Sequence, residues 1–556
     1  MAHCIQAKQP KTWKLTGIEK LSGMRIEKLL LLAFCVPLVA CGNDMFDKFD
    51  LHPVENNAIA EKTVWKPVDC TINEVKFSSF RINAMNNDKV LADLVFNSFR
   101  EGDTSRVSVN HYFLKKTHIV PSWNCVAAKV TVNGEEQTPD FSEVDFSNPV
   151  TYRLFASDGQ YKEYTFSLEQ GDYTGFQVVS IISERTISNK KAWASSVFKI
   201  SGQESGYSDV SYSSEAKLRG NNSLQFRKKS YTVRLDGKAS ILGMSKHTHW
   251  CLLAGAPDRT RMRNRVAFEI ASRTGLRWTP DSRFCELFVN SEYCGLYLLT
   301  EKIKIDKRRV NITKMNKSDT TGVNITGGYL LECDHHPDNL SFETAVRHLP
   351  VNIKSPDEDN ITGSQIDYIE NYFKTIEQKL YRTDVPDPEY RKLIDLESFA
   401  DVWIVLELTR CEDARLPGSV WYYKDRSGPL CAGPVWDFDL TTFSNNDSYL
   451  LYDYETSDFS LSDRSLWYSR LFLDPVFKDL VKRRWQSYYP SFQTIPDFID
   501  RQAEIIRKSV TANDETWPYP ITGNPDAYMT WEGSLEELKK NYLNRLHMLN
   551  DFITSW

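Results

Sequence analysis

No surplus of positive charge runs through this chain. Its 68 Lys and Arg are outnumbered by 74 Asp and Glu, leaving a formal net charge of −6. Without a basic field nothing attracts a nucleic-acid backbone, so that partner class is excluded. Eleven cysteines are scattered with no CxxC pair, which excludes zinc-finger spacing and the framework of a small disulfide-stapled domain. Internal repeats and low-complexity tracts are absent. The longest apolar run, Leu29 to Ala40, falls short of the ~20 apolar residues that a helix needs to cross a bilayer.

What is present is the composition of a folded protein: 41% hydrophobic, 12% aromatic and 26% charged residues. A chain of 556 residues exceeds one ordinary core, so two or three domains are expected. Met24 is a second plausible start. From it, Arg25 and Lys28 precede the Leu29–Ala40 run and then Cys41, the order of a signal peptide. "LVAC" (Leu38 to Cys41) resembles a bacterial lipobox, which implies cleavage before Cys41 and lipid on its sulfur. The acidic "GNDMFDKFD" after it resembles a signal for display on the outer surface. Residues 1–41 are therefore read as an extension plus lipoprotein signal peptide, and 42–67 as a tether. The expected location is the outer membrane, exported and surface-exposed, with contact to the membrane through the lipid alone. Processing leaves eight cysteines, expected to be buried small hydrophobes. "ECDHHPD" (Glu332 to Asp338) reads as a surface turn, because adjacent ligands do not converge readily on one ion.

Residues 68–170 show short alternating runs such as "EVKFSSFRI", "AAKVTVNG" and "KEYTFSLEQ", separated by turns such as "NGEE". That pattern predicts an antiparallel β-sandwich of about one hundred residues. "DFSNPVTYRLFASDGQYKEYTFSLE" resembles the Ig-like modules at the front of bacterial surface lipoproteins. Residues 171–556 alternate strand-like and helix-like runs, and their C-terminal half is helical and amphipathic. The fold class is α+β.

One stretch carries the chemistry. "GPVWDFDLTTF" (Gly433 to Phe443) reads as a buried aromatic strand, yet holds Asp437 and Asp439 on either side of Phe438. Charge in such a place is costly unless it is paired or binds a metal. Asp413 precedes Asp437 by a helix end and one hairpin-like segment. A loop carboxylate, a hairpin and a carboxylate beside Phe form the arrangement of a phosphoryl-transfer site, where one acid handles the attacking hydroxyl and the other the metal. Surface aspartates without a ligand are the plain alternative, as is a turn role for Asp413.

The stretches "KLRGNNSLQFRKKSYTVRLD", "ILGMSKHTHWCLLAGAPDRTRMRNRVAFEIASRTG", "SRFCELFVNSEYCGLYLLTEKIKIDKRRV", "GGYLLECD" and "GPVWDFDL" recur in this order over more than two hundred residues. Together they resemble the CotH family, atypical secreted protein-kinase-like enzymes. The resemblance implies an atypical protein-kinase-like domain over 171–556, with ATP and Mg²⁺ (or Mn²⁺) as cofactors and an extracytoplasmic protein as phosphoacceptor. It implies Asp413 as the catalytic aspartate and Asp437 with Asp439 as metal ligands. It also places Lys228 or Lys229, Arg219 and Glu301 at the nucleotide, with Glu269 as the ion-pair partner of the lysine. Solvated lysines and a surface Glu269 are the plain readings of those residues. Arg263-Asn264 match the family's "RN". Two departures stand out. Cys411 replaces the asparagine of the family's Asn-x-Asp, a soft ligand poorly matched to Mg²⁺, with Glu412 as a substitute oxygen. Leu224 stands where the "RGNSTW"-like turn has tryptophan. A rival class follows: a weakened, pseudokinase-like scaffold acting as an adhesin or binding protein through its 14 Trp and 26 Tyr. A glycoside hydrolase is a third idea without sugar-binding pattern around the acids.

Overall fold

The computed structural model describes residues 65–556 except 87–88, 97–98, 111–117, 172–175, 202–207, 209, 291, 416, 444–465 and 519–523. Cys41, the signal segment and nearly all of the expected tether lie outside the described residues.

The first strands form two sheets around one apolar cluster. Lys89–Val95, Lys76–Asn86 and Pro121–Val126 make one sheet. Thr104–Asn110, Tyr161–Gly171, Val150–Phe155, Lys129–Val132 and Glu135–Glu136 make the other. Strict alternation of buried and half-buried residues in Pro121–Val126 is the period of a strand with one face on a core. Phe80 and Phe166 stack across the cluster with ring centroids 3.7 Å apart, and Tyr152 and Trp123 pack beside them. The "NG" turn closes its hairpin as its chemistry demands: Asn133 (φ 51°) and Gly134 (φ 86°) join Val132 to Glu135. The arrangement is not purely antiparallel. Thr104–Asn110 pairs in parallel with Tyr161–Gly171, because the chain between them passes through the opposite sheet before returning.

Seven strands then close into a barrel. In spatial order they are Val178–Ser183, Ala194–Ser201, Val210–Arg219, Ser230–Ala239, His247–Leu253, Glu292–Glu301 and Ser282–Val289. Parallel pairing of Val178 with Glu286 completes the ring and removes every free edge. Phe198, Val233, Trp250, Leu287 and Leu299 belong to its core. Helix α1 (Arg263–Ser272) is inserted between two barrel strands.

The rest is an antiparallel sheet backed by helices. The sheet order is Ser341–Glu343, Pro350–Ser355, Tyr329–Cys333, Val420–Lys424 and Leu430–Ala432. The helices are α2 (Gly363–Tyr381), α3 (Leu396–Leu408), α4 (Tyr468–Leu471), α5 (Pro475–Phe492), α6 (Ile495–Thr516) and α7 (Trp531–Thr554). Nearly every residue of α3 is buried, so it lies in the centre of the helical layer. Its two interior acids are met by arginines: Asp401 by Arg484 (2.6 Å) and Glu407 by Arg545. Among the described residues no helix is long and apolar enough to cross a membrane.

Breaking such a buried pair leaves one charge without its counter-ion. Arg545→Met is expected to destabilise the helical layer by about 3–5 kcal/mol, and Arg545→Met with Glu407→Leu to recover much of it, read by thermal and denaturant unfolding.

Candidate functional site

After Ala432 the chain leaves the sheet, and the expected strand over Gly433–Phe443 does not form. Asp437 sits at φ 69°, in the left-handed region, which ends any regular alternation. The physical reason is where the backbone groups find partners. Asn264 on α1 accepts from Phe438 N at 2.8 Å. Asn524 donates to Asp439 O at 2.8 Å and accepts from Thr441 N at 2.8 Å. Arg263 Nε donates to Thr442 O at 3.1 Å. Side chains therefore replace a neighbouring strand, while Val435, Trp436 and Phe438 remain buried as apolar anchors.

This turn makes Asp437 and Asp439 neighbouring carboxyls, and like charges so placed disfavour ionising both. Burial raises Asp437, opposed by Arg219 and reinforced by Asp334. Burial, then the charge of Asp437, raises Asp439 well above the usual carboxylate range. Asp413 opens the short turn Asp413–Arg415 just beyond α3. Its carboxylate lies against the bare backbone of Gly418, where a Cβ would stand 2.4 Å from Oδ2. Burial and the charge of Asp437 push Asp413 up to about 6, with His335 opposing.

A fourth acid completes the group. Ser419 N donates to Asp334 Oδ2 at 3.1 Å, and its hydroxyl lies 3.5 Å from both Asp334 Oδ2 and Asp437 Oδ2. Asp334 follows the wholly buried strand Tyr329–Cys333 and is itself buried, so the surface turn expected over Glu332–Asp338 holds only from His335 onward. The cation acting on the pair is Arg219, stacked over Trp436 at 5.1 Å, whose charge opposes the rise of both carboxyls. Lys302 is lowered to about 8 by burial and by the charges of Arg219, Lys304 and Lys354. Arg219 precedes a turn that requires glycine: Gly220 has φ 106°, and a Cβ there would collide with Ser223 Oγ at 1.8 Å.

The remaining expected residues lie elsewhere. Lys228 is buried, donating to Ala254 O (2.9 Å), Leu296 O (2.5 Å) and Asn513 Oδ1 (2.8 Å). Lys229 donates to Leu224 O. Glu269 makes no ion pair with either lysine; Arg273 (3.0 Å) and Arg265 (3.5 Å) hold it within reach of its own helix. Glu301 accepts from Asp281 N at 3.2 Å and is raised by burial. Cys411 is buried with its thiol pushed up by desolvation and by Asp413, and Glu412 is paired with Arg410. Neither adds a metal-binding oxygen to the cluster. Seven of the eight cysteines are buried, Cys294 partly so.

Asp334, Ser419 and Asn524 were not evident as site residues. Asp334 had one signal, a charged run directly after a fully apolar strand. Asn524 had none, because its role is to satisfy backbone far away in sequence.

The chain is thus α+β, with a closed seven-strand barrel, a helical layer and four carboxylates brought together by the turn after Ala432. Residues 216–549 match the family described as CotH kinase protein, and the chain belongs to that family. No curated protein matches it.

Because Asp413 holds its proton more tightly when folded, its contribution to stability is full below its ordinary value of 3.8 and is lost as pH rises through about 6. In chelator, Asp413→Asn is expected to be more stable than the parent at pH 7.5 by about 2 kcal/mol, with the difference vanishing near pH 4. Thermal melts across that range check the sign.

Proposed function

We propose that this protein transfers the γ-phosphoryl group of ATP to a hydroxyl on a protein outside the cytoplasm, anchored to the outer membrane by lipid on Cys41. The observation that carries the reading is the carboxyl pair Asp437–Asp439, both raised by burial and crowded by the further carboxylates Asp334 and Asp413. Such a pair suits a hard divalent cation, whose charge compensates the crowded carboxyls. Mg²⁺ or Mn²⁺, when bound, supplies neutralisation of the phosphate charge.

The chain's own groups do the rest. Asp413, near 6, accepts the proton of the attacking hydroxyl at neutral pH. Arg219, whose charge acts on both carboxyls, takes the phosphate oxygens together with Lys302, since an ammonium lowered to about 8 by burial and by Arg219, Lys304 and Lys354 gains from an anion beside it. Lys228 instead ties the barrel to α6 through Asn513. A second reading, a binding scaffold without transfer, is favoured by one observation. With Cys411 buried and Glu412 engaged by Arg410, the oxygen expected beside Asp413 for a second ion is missing.

Radiolabelled phosphate transfer from ATP with Mg²⁺ or Mn²⁺ tests the choice. Asp437→Asn and Asp413→Asn are each expected to lower the rate at least about 100-fold. Equal labelling by Asp437→Asn ends the kinase reading, and no labelling with no nucleotide binding by the parent favours the scaffold.

The two lysines separate by kinetics and stability. Lys302→Met is expected to raise KM for ATP about tenfold or more with an unchanged melting temperature, consistent with a lost phosphate contact of about 1.4 kcal/mol. Lys228→Met is expected to lower the melting temperature instead.

A further inference from the structure

Asp334 borders the carboxylate cluster without a step of its own in the transfer proposed above, and with His335 and His336 it gathers three ligating side chains. One ring nitrogen of each histidine and a carboxylate oxygen of Asp334 lie within 4.8 Å of one another. We propose that these residues form a site for a borderline divalent ion of the zinc class, distinct from the Asp437–Asp439 pair.

Adjacent residues converge here because the chain is sharply turned. Asp334 Oδ1 accepts from His336 N at 2.7 Å, folding His336 back over the carboxylate and placing the two imidazole centroids 4.0 Å apart. The histidine rings are oriented from outside. His335 Nδ1 lies 3.0 Å from Pro417 O. A carbonyl only accepts, so Nδ1 carries the proton and the ring's lone pair is at Nε2. His336 Nδ1 is 3.3 Å from Asp334 Oδ1, so these two ligand atoms already stand side by side. Pro417 O is the outer partner that fixes the His335 ring, the pattern common to metal-binding imidazoles. Both rings are about one-third exposed, at 36% and 35% for His335 and His336, so an ion has access.

The donor set selects the ion. Two imidazoles and a carboxylate suit Zn²⁺, Co²⁺ or Ni²⁺ and are a poor cage for Mg²⁺, which asks for oxygen. Three protein ligands leave a coordination position for water or for an oxygen of an arriving group. The ion would also clamp the turn to the Pro417–Ser419 segment, since His335 N donates to Pro417 O at 2.9 Å and Ser419 N to Asp334 Oδ2. That segment forms the backbone against which Asp413 packs.

The test is titration of the metal-stripped protein with Co²⁺, followed by visible d–d absorption and by the melting temperature with Zn²⁺. The parent is expected to show a saturable band and a Zn²⁺-dependent rise in melting temperature. His335→Ala and His336→Ala should each weaken Co²⁺ binding about tenfold or more, and the double variant should lose both signals. Asp437→Asn should retain the band, which separates this site from the kinase reading. An unchanged band in the double variant, or no band in the parent, overturns the proposal. Circular dichroism verifies folding; should the alanine variants unfold, His335→Gln and His336→Gln give the same comparison.

Discussion

Arg263 lies almost wholly buried between two buried carboxylates, Asp258 at 2.5 Å and Asp526 at 2.7 Å. Its Nε reaches Thr442 O, and its own backbone N donates to Asp258 Oδ2 at 2.8 Å. Four separate parts of the chain therefore meet at one guanidinium: the barrel-exit loop, α1, the segment before α7 and the turn after Phe438. A planar cation with five donors is suited to such a junction, where an ammonium would satisfy fewer partners. Asn264, the next residue, holds Phe438 N, so the geometry of Asp437 and Asp439 is inherited from this junction.

The site is the reverse case, charge left without full compensation. Asp334, Asp413, Asp437 and Asp439 crowd together, and burial with neighbouring carboxylates raises Asp413, Asp437 and Asp439. Arg219 opposes the trend at Asp437 and Asp439 but sits over Trp436 rather than in a direct ion pair with them. Structural charges in this protein are matched closely, as at Asp401–Arg484 and Glu407–Arg545. The contrast sets the cluster apart from the paired charges that hold the fold. Several non-glycine residues nearby, Arg410, Ser419, Asp437, Thr441 and Phe443, adopt positive φ, which adds local backbone cost at the same place.

Local patterns carried much of this into the sequence. Alternation announced the strands of residues 68–170, "NG" announced its turn, and the apolar flanks of Asp437 and Asp439 announced a charge that needed a partner. The ordered motifs named the family over most of the region that matches it. Other features were illegible for a definite reason. A lysine run cannot say which ammonium is interior, because Lys228 is buried by Ala254, Leu296 and Asn513, which are distant in sequence. Glu269 on α1 looked available to a lysine, yet its helix neighbours at i ± 4 claimed it. The parallel pairing of Thr104–Asn110 depended on a route through another sheet.

By itself, then, the amino-acid order determined what short-range physics can express: strand and helix periods, turn chemistry, an acidic motif flanked by aromatics, and the absence of a basic surface. Tertiary structure alone decided that seven strands close into a barrel, that Asp437 leaves the sheet, and that Asp334 and Ser419 join Asp413. Those outcomes rest on hydrogen bonds and charges between residues tens to hundreds of positions apart, whose energies exist only once the chain has brought them together.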